Sequence, residues 1–251
     1  MDEFKEEREA LKHGAPKQKF TYFMDYYKWH VVICAAVIFM AVSLISQMLG
    51  KKDTVFHAVM INGAAGPEAG TYTQSFADYA GLDGEKNDIL FDTSLRISMD
   101  KNNYNPDAMA SGEKLMVYIA SGEVDAFVTT EDLLEQYAYN EFFLDLRQLL
   151  TPEQLAAWEP YLYYVDQAVI REKNEAEDAM NYEYAPVYPD PRNPDAMEEA
   201  IPVGIILPDT SALRKNFYFP GENLAAGVVV NTKRRETVSL FLDFLLQPAN
   251  Q

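Results

Sequence analysis

The sequence is poor in the residues that most enzymatic and metal sites require. It has one cysteine, Cys34, which cannot form an intramolecular disulfide and does not decide between an exported and a cytosolic domain. The three histidines are His13, His30 and His57, so residues 58–251 hold no base for a Ser-His-Asp triad. No glycine-rich phosphate loop, metal-spaced Cys/His set or G-x-S-x-G elbow occurs. These absences predict that the protein is not an enzyme and uses no cofactor.

Acidic residues leave two alternatives open. A pair of carboxylates could act as in a glycosidase, since the chain has many acids to supply one. A divalent cation could bind the acids of a proline-rich segment, although their spacing matches no calcium loop: Asp190, Asp195, Glu198 and Glu199. We expect solvated surface carboxylates in both cases, and no metal site.

Positive charge is also scarce. The formal net charge is −18, and from residue 53 onward 33 acidic residues stand against 13 basic ones. Such a surface repels polyanions, so this part of the chain is not expected to bind nucleic acid, nor an anionic lipid surface through its bulk charge.

Only one long apolar run occurs, and it extends from Val31 to Leu49 without a charge. As a helix these 19 residues measure about 28 Å, close to the roughly 30 Å of a bilayer core. The aromatic residues Tyr27 and Trp29 precede it, as at membrane interfaces. The run is too long and its leader too extended for a cleaved signal peptide, and a lipoprotein would need its cysteine at the end of the run. We interpret it as a transmembrane helix, the alternative being a buried core helix.

The basic residues favour one orientation. Residues 1–30 carry six bases, whereas only Lys51 and Lys52 lie close to the other end of the run. The positive-inside rule therefore predicts a cytoplasmic leader at residues 1–30 and an extracellular domain at residues 53–251 of a single-pass membrane protein.

The predicted outer domain alternates short apolar runs with helical patterns. Strands are expected at 54–62, 88–99, 124–130, 201–209 and 223–232. Prolines at the first turn mark helices after positions 67, 106 and 152, and the last helix follows residue 232. The periodicity fades after Tyr161, which predicts an exposed Pro/acid-rich insertion at about 171–200. The fold class predicted is α/β, with a mixed or mostly parallel sheet flanked by helices.

Three segments of this domain resemble bacterial extracellular solute-binding proteins. In "YIASGEVDAFVTTEDLLEQYAYNEFFLDLRQLL" a helix ends before Gly122 and Asp125, a strand follows, and Leu144-Asp145-Leu146 matches a later element of that family. "IPVGIIL" and "LAAGVVVNTKRRETVSLFLDFLL" are similar to its later strands and closing helix. The resemblance implies a reduced solute-binding-protein-like domain, shorter than the two-lobed members. Its matches are framework positions, so no ligand-contacting residue is carried over.

The resemblance also implies a function. We expect a membrane-anchored, non-catalytic extracytoplasmic binding or accessory protein of a Gram-positive bacterial envelope, associated with an ABC-type transporter. The alternative is a structural or sensory envelope protein that binds another protein instead of a small solute. Aromatic residues are the candidate ligand or partner surface, unless they pack in the core: Trp158, Tyr161, Tyr164, Tyr182, Tyr184 and Tyr188.

Overall fold

The chain divides into two compact units, residues 1–51 and 52–251. The computed structural model describes residues 16–49, 52–84, 86–98, 105–181 and 183–248. Tyr182, one of the predicted surface residues, and the first half of the leader lie outside the described residues.

The first unit contains one long helix, α1, from Pro16 to Leu49. Within it the 20 residues Tyr27–Ser46 are long and apolar enough to cross a membrane, and none of this stretch is buried in the protein. A signal sequence can have the same length and composition, so the helix by itself does not establish a topology. The helix begins well before the apolar run because no glycine or proline interrupts residues 17–30, and Pro16 is tolerated at a first turn.

The second unit is built on a six-stranded mixed sheet with the strand order β3-β1-β4-β8-β6-β5. The pairs β1–β3 and β1–β4 are parallel, and the other three pairs are antiparallel. A separate two-stranded ribbon joins β2 to β7. The strands are β1 Asp53–Met60, β2 Ala64–Ala65, β3 Asn87–Asp92, β4 Ala126–Thr130, β5 Leu162–Asp166, β6 Ala200–Ile206, β7 Phe217–Tyr218 and β8 Leu224–Val228.

Helices cover both faces of this sheet, which confirms the predicted α/β class. On one face α2 and α8 pack over a core that includes Phe56, Phe76 and Phe241. On the other face α3 and α4 pack over a core that includes Leu115 and Leu134. The helices of this unit are α2 Ala69–Tyr79, α3 Pro106–Ser121, α4 Glu131–Ala138, α5 Pro152–Trp158, α6 Gln167–Asp178, α7 Leu213–Asn216 and α8 Arg235–Leu246.

Strand β1 shows how the sequence produces this two-faced core. Phe56 and Met60 point into the first core, while Val59 and the following Ile61 point into the second, and all four are fully buried. Successive side chains of a strand alternate between faces, so a strand buried on both faces has to be apolar at nearly every position. For this reason the central strands are recognisable as continuous apolar runs.

The segment predicted as an insertion begins inside a helix. Residues 162–166 form the edge strand β5, and residues 167–178 form α6, which includes the first eight residues of the predicted insertion. Asp166 starts that helix by accepting a hydrogen bond from the N–H of Ala168 at 3.0 Å. The local pattern does not indicate β5, because these residues become a strand by pairing with β6, which lies more than thirty residues later. The described residues between α6 and β6, 179–181 and 183–199, are irregular apart from a 3₁₀ turn at Pro194–Ala196.

The second predicted strand is shorter than expected. β3 ends at Asp92 instead of residue 99, because the Asp92 carboxylate accepts the N–H of Ser94 at 2.7 Å and turns the chain. Leu95, three residues after the end of β3, is buried in the second core.

Candidate functional site

The chain reverses its direction across the sheet at β1. From β1 it passes through α2 to β3 on one side, and then through α3 to β4 on the other side. The two connecting helices pack on opposite faces of the sheet. In open α/β sheets such a switch point opens a crevice outside the carboxyl ends of the strands, where ligands bind. A ligand site is therefore expected at the carboxyl ends of β1 and β4.

Hydrogen bonds hold these two strand ends together. The N–H of Ile61 donates to the carbonyl of Val128 at 3.0 Å, and the Thr129 hydroxyl donates to the carbonyl of Ile61 at 3.2 Å. Asn62 then turns the chain with a φ of 61°, and its amide nitrogen donates to the Ile97 carbonyl at 2.8 Å. These hydrogen bonds fix the backbone at the carboxyl ends of β1 and β4 without a bound ligand.

A cleft of about 420 Å³ lies at the carboxyl end of β4, on the side that faces β8, and no residue of β1 lines it. We call it the switch-point cleft; its lining residues are Thr130, Glu131, Asp132, Pro220, Gly221, Glu222 and Asn223. Its two walls meet where the N–H of Glu131 donates to the Asn223 carbonyl at 3.1 Å. Gly221 permits the close approach, because a Cβ there would lie 2.8 Å from the Thr130 methyl group. The volume falls within the range of small-ligand pockets, roughly 300–1,000 Å³.

The cleft is rich in hydrogen-bond acceptors. Glu131 is buried and forms an ion pair with Arg192, whereas Asp132 and Glu222 are exposed. One turn along α4, burial raises the pKa of Glu135, and the nearby charge of Asp132 raises it further. Carboxylates and carbonyl oxygens accept hydrogen bonds, so the cleft suits a ligand that donates them. Its lining contains no cysteine, serine or histidine.

The predicted aromatic residues are not gathered into one surface. Trp158 is buried in the first core and Tyr164 packs against the same core, while Tyr188 packs against the second core on the opposite face. Tyr161 is exposed by 38%. Tyr184 is half-buried, and its hydroxyl donates to Glu172 at 3.2 Å.

Tyr188 instead fastens the irregular segment 183–199 to the domain. Its ring stacks on Tyr139, with the ring centroids 3.9 Å apart and the planes 17° from parallel. Tyr139 is almost fully buried, and burial raises its pKa to about 12. Further along the segment, Arg192 pairs with Glu131 of the switch-point cleft. The segment therefore reaches the cleft, a contact for which the sequence carries no local signal.

Two alanine substitutions separate packing from surface roles in this segment. Tyr188→Ala is expected to lower the free energy of unfolding by about 2 kcal/mol, roughly half the cost of removing a fully buried aromatic ring. Tyr184 packs against neither core and bonds an exposed carboxylate, so Tyr184→Ala should lower the melting temperature much less. Thermal and urea unfolding of both variants measures this, and equal melting temperatures would show that Tyr188 does not fasten the segment.

A buried carboxylate lies at the opposite end of β4 from the switch-point cleft. Asp125, fully buried just before β4, accepts hydrogen bonds from the His57 N–H at 2.9 Å, from the Thr232 hydroxyl at 2.6 Å and from Arg234 at 2.9 Å. Gly122, three residues earlier, ends α3 with a φ of 66°. The two residues that the sequence pattern singled out as turn positions thus join α3, β1, β4 and the start of α8. We assign this group a structural role.

His57 is buried next to this carboxylate. Its Nδ1 lies 3.2 Å from the Glu123 carbonyl, and its Nε2 has no hydrogen-bond partner among the described residues. Burial lowers the pKa of His57, an effect that the charges of Asp92 and Asp125 only partly oppose. The folded protein therefore holds the imidazole neutral at a pH where the unfolded chain protonates it.

The lowered pKa of His57 predicts a pH dependence of stability. The stabilisation is fully present above the unfolded pKa of about 6.5 and is lost as the pH falls below it, because the unfolded state then binds the additional proton. Urea unfolding between pH 7.5 and pH 5 should show this loss, and His57→Gln should reduce it. His30→Gln serves as the matched control, since His30 lies in α1, and it should retain the full loss.

The described residues contain no group of three or more His, Cys, Asp or Glu side chains that could hold a metal ion. Two of the four acids proposed for a cation have carboxylate partners in the chain. The Asp190 carboxylate accepts the N–H of Arg192 at 2.9 Å, and the Glu199 carboxylate pairs with Arg171. The structure thus accounts for part of this acidic stretch by contacts within the chain.

Comparison with protein-family models, with curated protein sequences and with solved structures finds no match to this chain. Its function is therefore inferred from the fold and from the groups at the two ends of the central strands.

Proposed function

We propose that this chain is a membrane-anchored, non-catalytic binding protein whose extracytoplasmic α/β domain takes its ligand in the switch-point cleft. The observation that carries the proposal is the position of that cleft, at the carboxyl end of β4, which is one of the two strands that flank the reversal of strand order. Its acceptor-rich lining, which contains no cysteine, serine or histidine, supports binding over catalysis. The resemblance to extracellular solute-binding proteins suggests an ABC-type transporter as the membrane partner.

The anchor is the apolar segment of α1. In the proposal residues 31–49 span the membrane, residues 1–30 lie in the cytoplasm, and residues 53–251 lie outside the cell. Protease added to intact cells should then degrade the chain beyond Lys52 and spare a tag at residue 1. The protein should also stay in the membrane fraction after alkaline extraction, and release by that treatment would contradict the anchor. Digestion of the tag with protection of the carboxyl terminus would reverse the orientation and rule out an extracytoplasmic site.

A ligand screen tests the cleft. Thermal unfolding of the full chain in detergent, with sugars, amino acids and short peptides, should reveal one class that stabilises it by RT ln(1 + [L]/Kd), about 2.7 kcal/mol at one hundred times Kd. Asp132→Asn changes an exposed acid of the cleft and should weaken that stabilisation. Asp195→Asn changes an exposed acid elsewhere and should not. Stabilisation that is equal in both variants would place the ligand outside the cleft.

A second candidate function is the binding of another protein. The described residues of the second unit supply a single six-stranded sheet and one short ribbon, so the cleft is walled by one lobe. A small ligand usually has roughly 70–90% of its surface buried by the protein, which is harder for one lobe than for two. A protein partner does not need to be enclosed in this way. A photo-crosslinking side chain at Asn223 should then capture one defined envelope protein, and the same group at Lys215 should not. A negative ligand screen together with such a capture would select this function over solute binding.

A further inference from the structure

Three of the few basic residues of the acidic domain stand next to one another. Lys233, Arg234 and Arg235 line a cleft of about 450 Å³ together with Thr54, Val55, Glu236 and Thr237. We call this group the basic cleft. It lies at the amino-terminal end of β1, whereas the switch-point cleft lies at the carboxyl end of the neighbouring parallel strand β4.

Two of the three charges are left without a carboxylate partner. Arg234 pairs with Asp125, but the described residues provide Lys233 and Arg235 only with backbone carbonyls, those of Ser121 at 3.1 Å and Gln148 at 3.4 Å. Both side chains are exposed. In a domain where acids outnumber bases by more than two to one, two neighbouring unneutralised cations form a local positive site.

The backbone adds further donors to the same cleft. Helix α8 has 12 residues and begins at Arg235, and no side chain caps its first turn. The free N–H groups and the positive end of the helix dipole favour an anion at this position. The hydroxyls of Thr54 and Thr237 have no hydrogen-bond partner within the described part of the chain and can also donate. Glu236 is the one acid of the lining, so the sum of these groups remains positive.

The basic cleft lies only a few residues after the apolar helix along the chain. Thr54 follows Leu49, the last residue of the apolar helix, by five positions, and five extended residues reach at most about 18 Å. The proposed function places the membrane surface at this end of the helix, and the phosphate groups of lipids are the anions of that surface. The bulk charge of the domain argues against lipid binding, whereas this local group of cations argues for it.

We propose that the basic cleft binds the phosphate of an anionic phospholipid headgroup and so fixes the domain at the membrane surface. The inference rests on the anchoring in the proposed function. It adds a lipid contact that the net charge of the sequence did not predict, and it leaves the switch-point cleft free for its own ligand.

Hydrogen exchange of the full chain in lipid nanodiscs tests this. With phosphatidylglycerol present, the backbone N–H groups of residues 235–237 should exchange about tenfold more slowly than in pure phosphatidylcholine, and high salt should remove the difference. Lys233→Gln with Arg235→Gln should abolish the protection while the melting temperature stays the same. The control pair, Arg171→Gln with Lys215→Gln, removes the same charge from other exposed sites and should preserve it.

Other outcomes contradict the proposal. Equal exchange in the two kinds of disc, or protection that survives the Lys233/Arg235 change, would exclude a headgroup site. Equal protection by inorganic phosphate in phosphatidylcholine discs would assign the cleft to a soluble anion. Failure of the chain to enter discs at all is a separate result, which would overturn the anchor and with it the lipid contact.

Discussion

Asp125→Ala is expected to lower the free energy of unfolding by about 3 kcal/mol. The carboxylate is fully buried, and its loss leaves the His57 N–H, the Thr232 hydroxyl and the Arg234 guanidinium without their acceptor. Breaking a buried ion pair by removing one partner typically costs about 3–5 kcal/mol. We expect the lower end of that range, because the Arg234 side chain is 23% exposed and water can hydrate part of it.

Urea unfolding of the full chain in detergent, followed by far-UV circular dichroism, measures this loss. Asp195→Ala is the matched control, since Asp195 is exposed and takes part in no ion pair within the described chain. Its effect should stay within about 0.5 kcal/mol. A loss below about 1 kcal/mol for Asp125→Ala would show that the group contributes little to the fold, and would reopen a functional role for this carboxylate.

Phe56→Ala is expected to cost about 3–5 kcal/mol, the range for removing a fully buried aromatic ring. Phe56 is 0% exposed at the centre of the first core. Its ring centroid lies 4.6 Å from that of Phe241 and 5.1 Å from that of Phe76. The cavity would open between β1, α2 and α8, so the substitution tests whether these elements form one core.

Leu90→Ala in the neighbouring strand β3 is the control for Phe56→Ala. Leu90 is 41% exposed, and truncating it should cost much less than truncating Phe56. Chemical unfolding of both variants gives the comparison. Similar losses for the two positions would mean that β1 is not buried on both faces, which would contradict the two-core arrangement.

The parts of the fold predicted from sequence are those with a strong local signal. Strands β1, β4, β6 and β8 are central and apolar on both faces, so each appears as a compact hydrophobic run. Helix α3 has Pro106 at its first turn and Gly122 at its end, and both positions are set by backbone geometry within a few residues. The edge strand β5 lacks such a signal, because it has only five residues and two tyrosines and an aspartate interrupt its apolar side chains.

The candidate sites were less accessible to sequence analysis. Thr130–Asp132 follow a recognisable strand, but their partners Gly221–Asn223 come about ninety residues later and meet them only because β4 pairs with β8 in antiparallel register. The aromatic residues show that residues close in sequence can also be separated by the fold. Trp158 and Tyr188 belong to one aromatic-rich stretch of the sequence, yet the structure places them against opposite faces of the sheet.

The apolar helix, the α/β class and the lack of a histidine in residues 58–251 are properties that the amino-acid sequence alone establishes, because they follow from composition and from periodicity within short windows. Which charged side chains pair with one another can be seen only in the folded structure. Asp125 is paired with Arg234, 109 positions away, whereas Lys233 and Arg235 on either side of that arginine find no carboxylate in the described chain. Charges interact through space and depend on burial, neither of which a linear pattern encodes. The basic cleft and the structural role of Asp125 both follow from that arrangement.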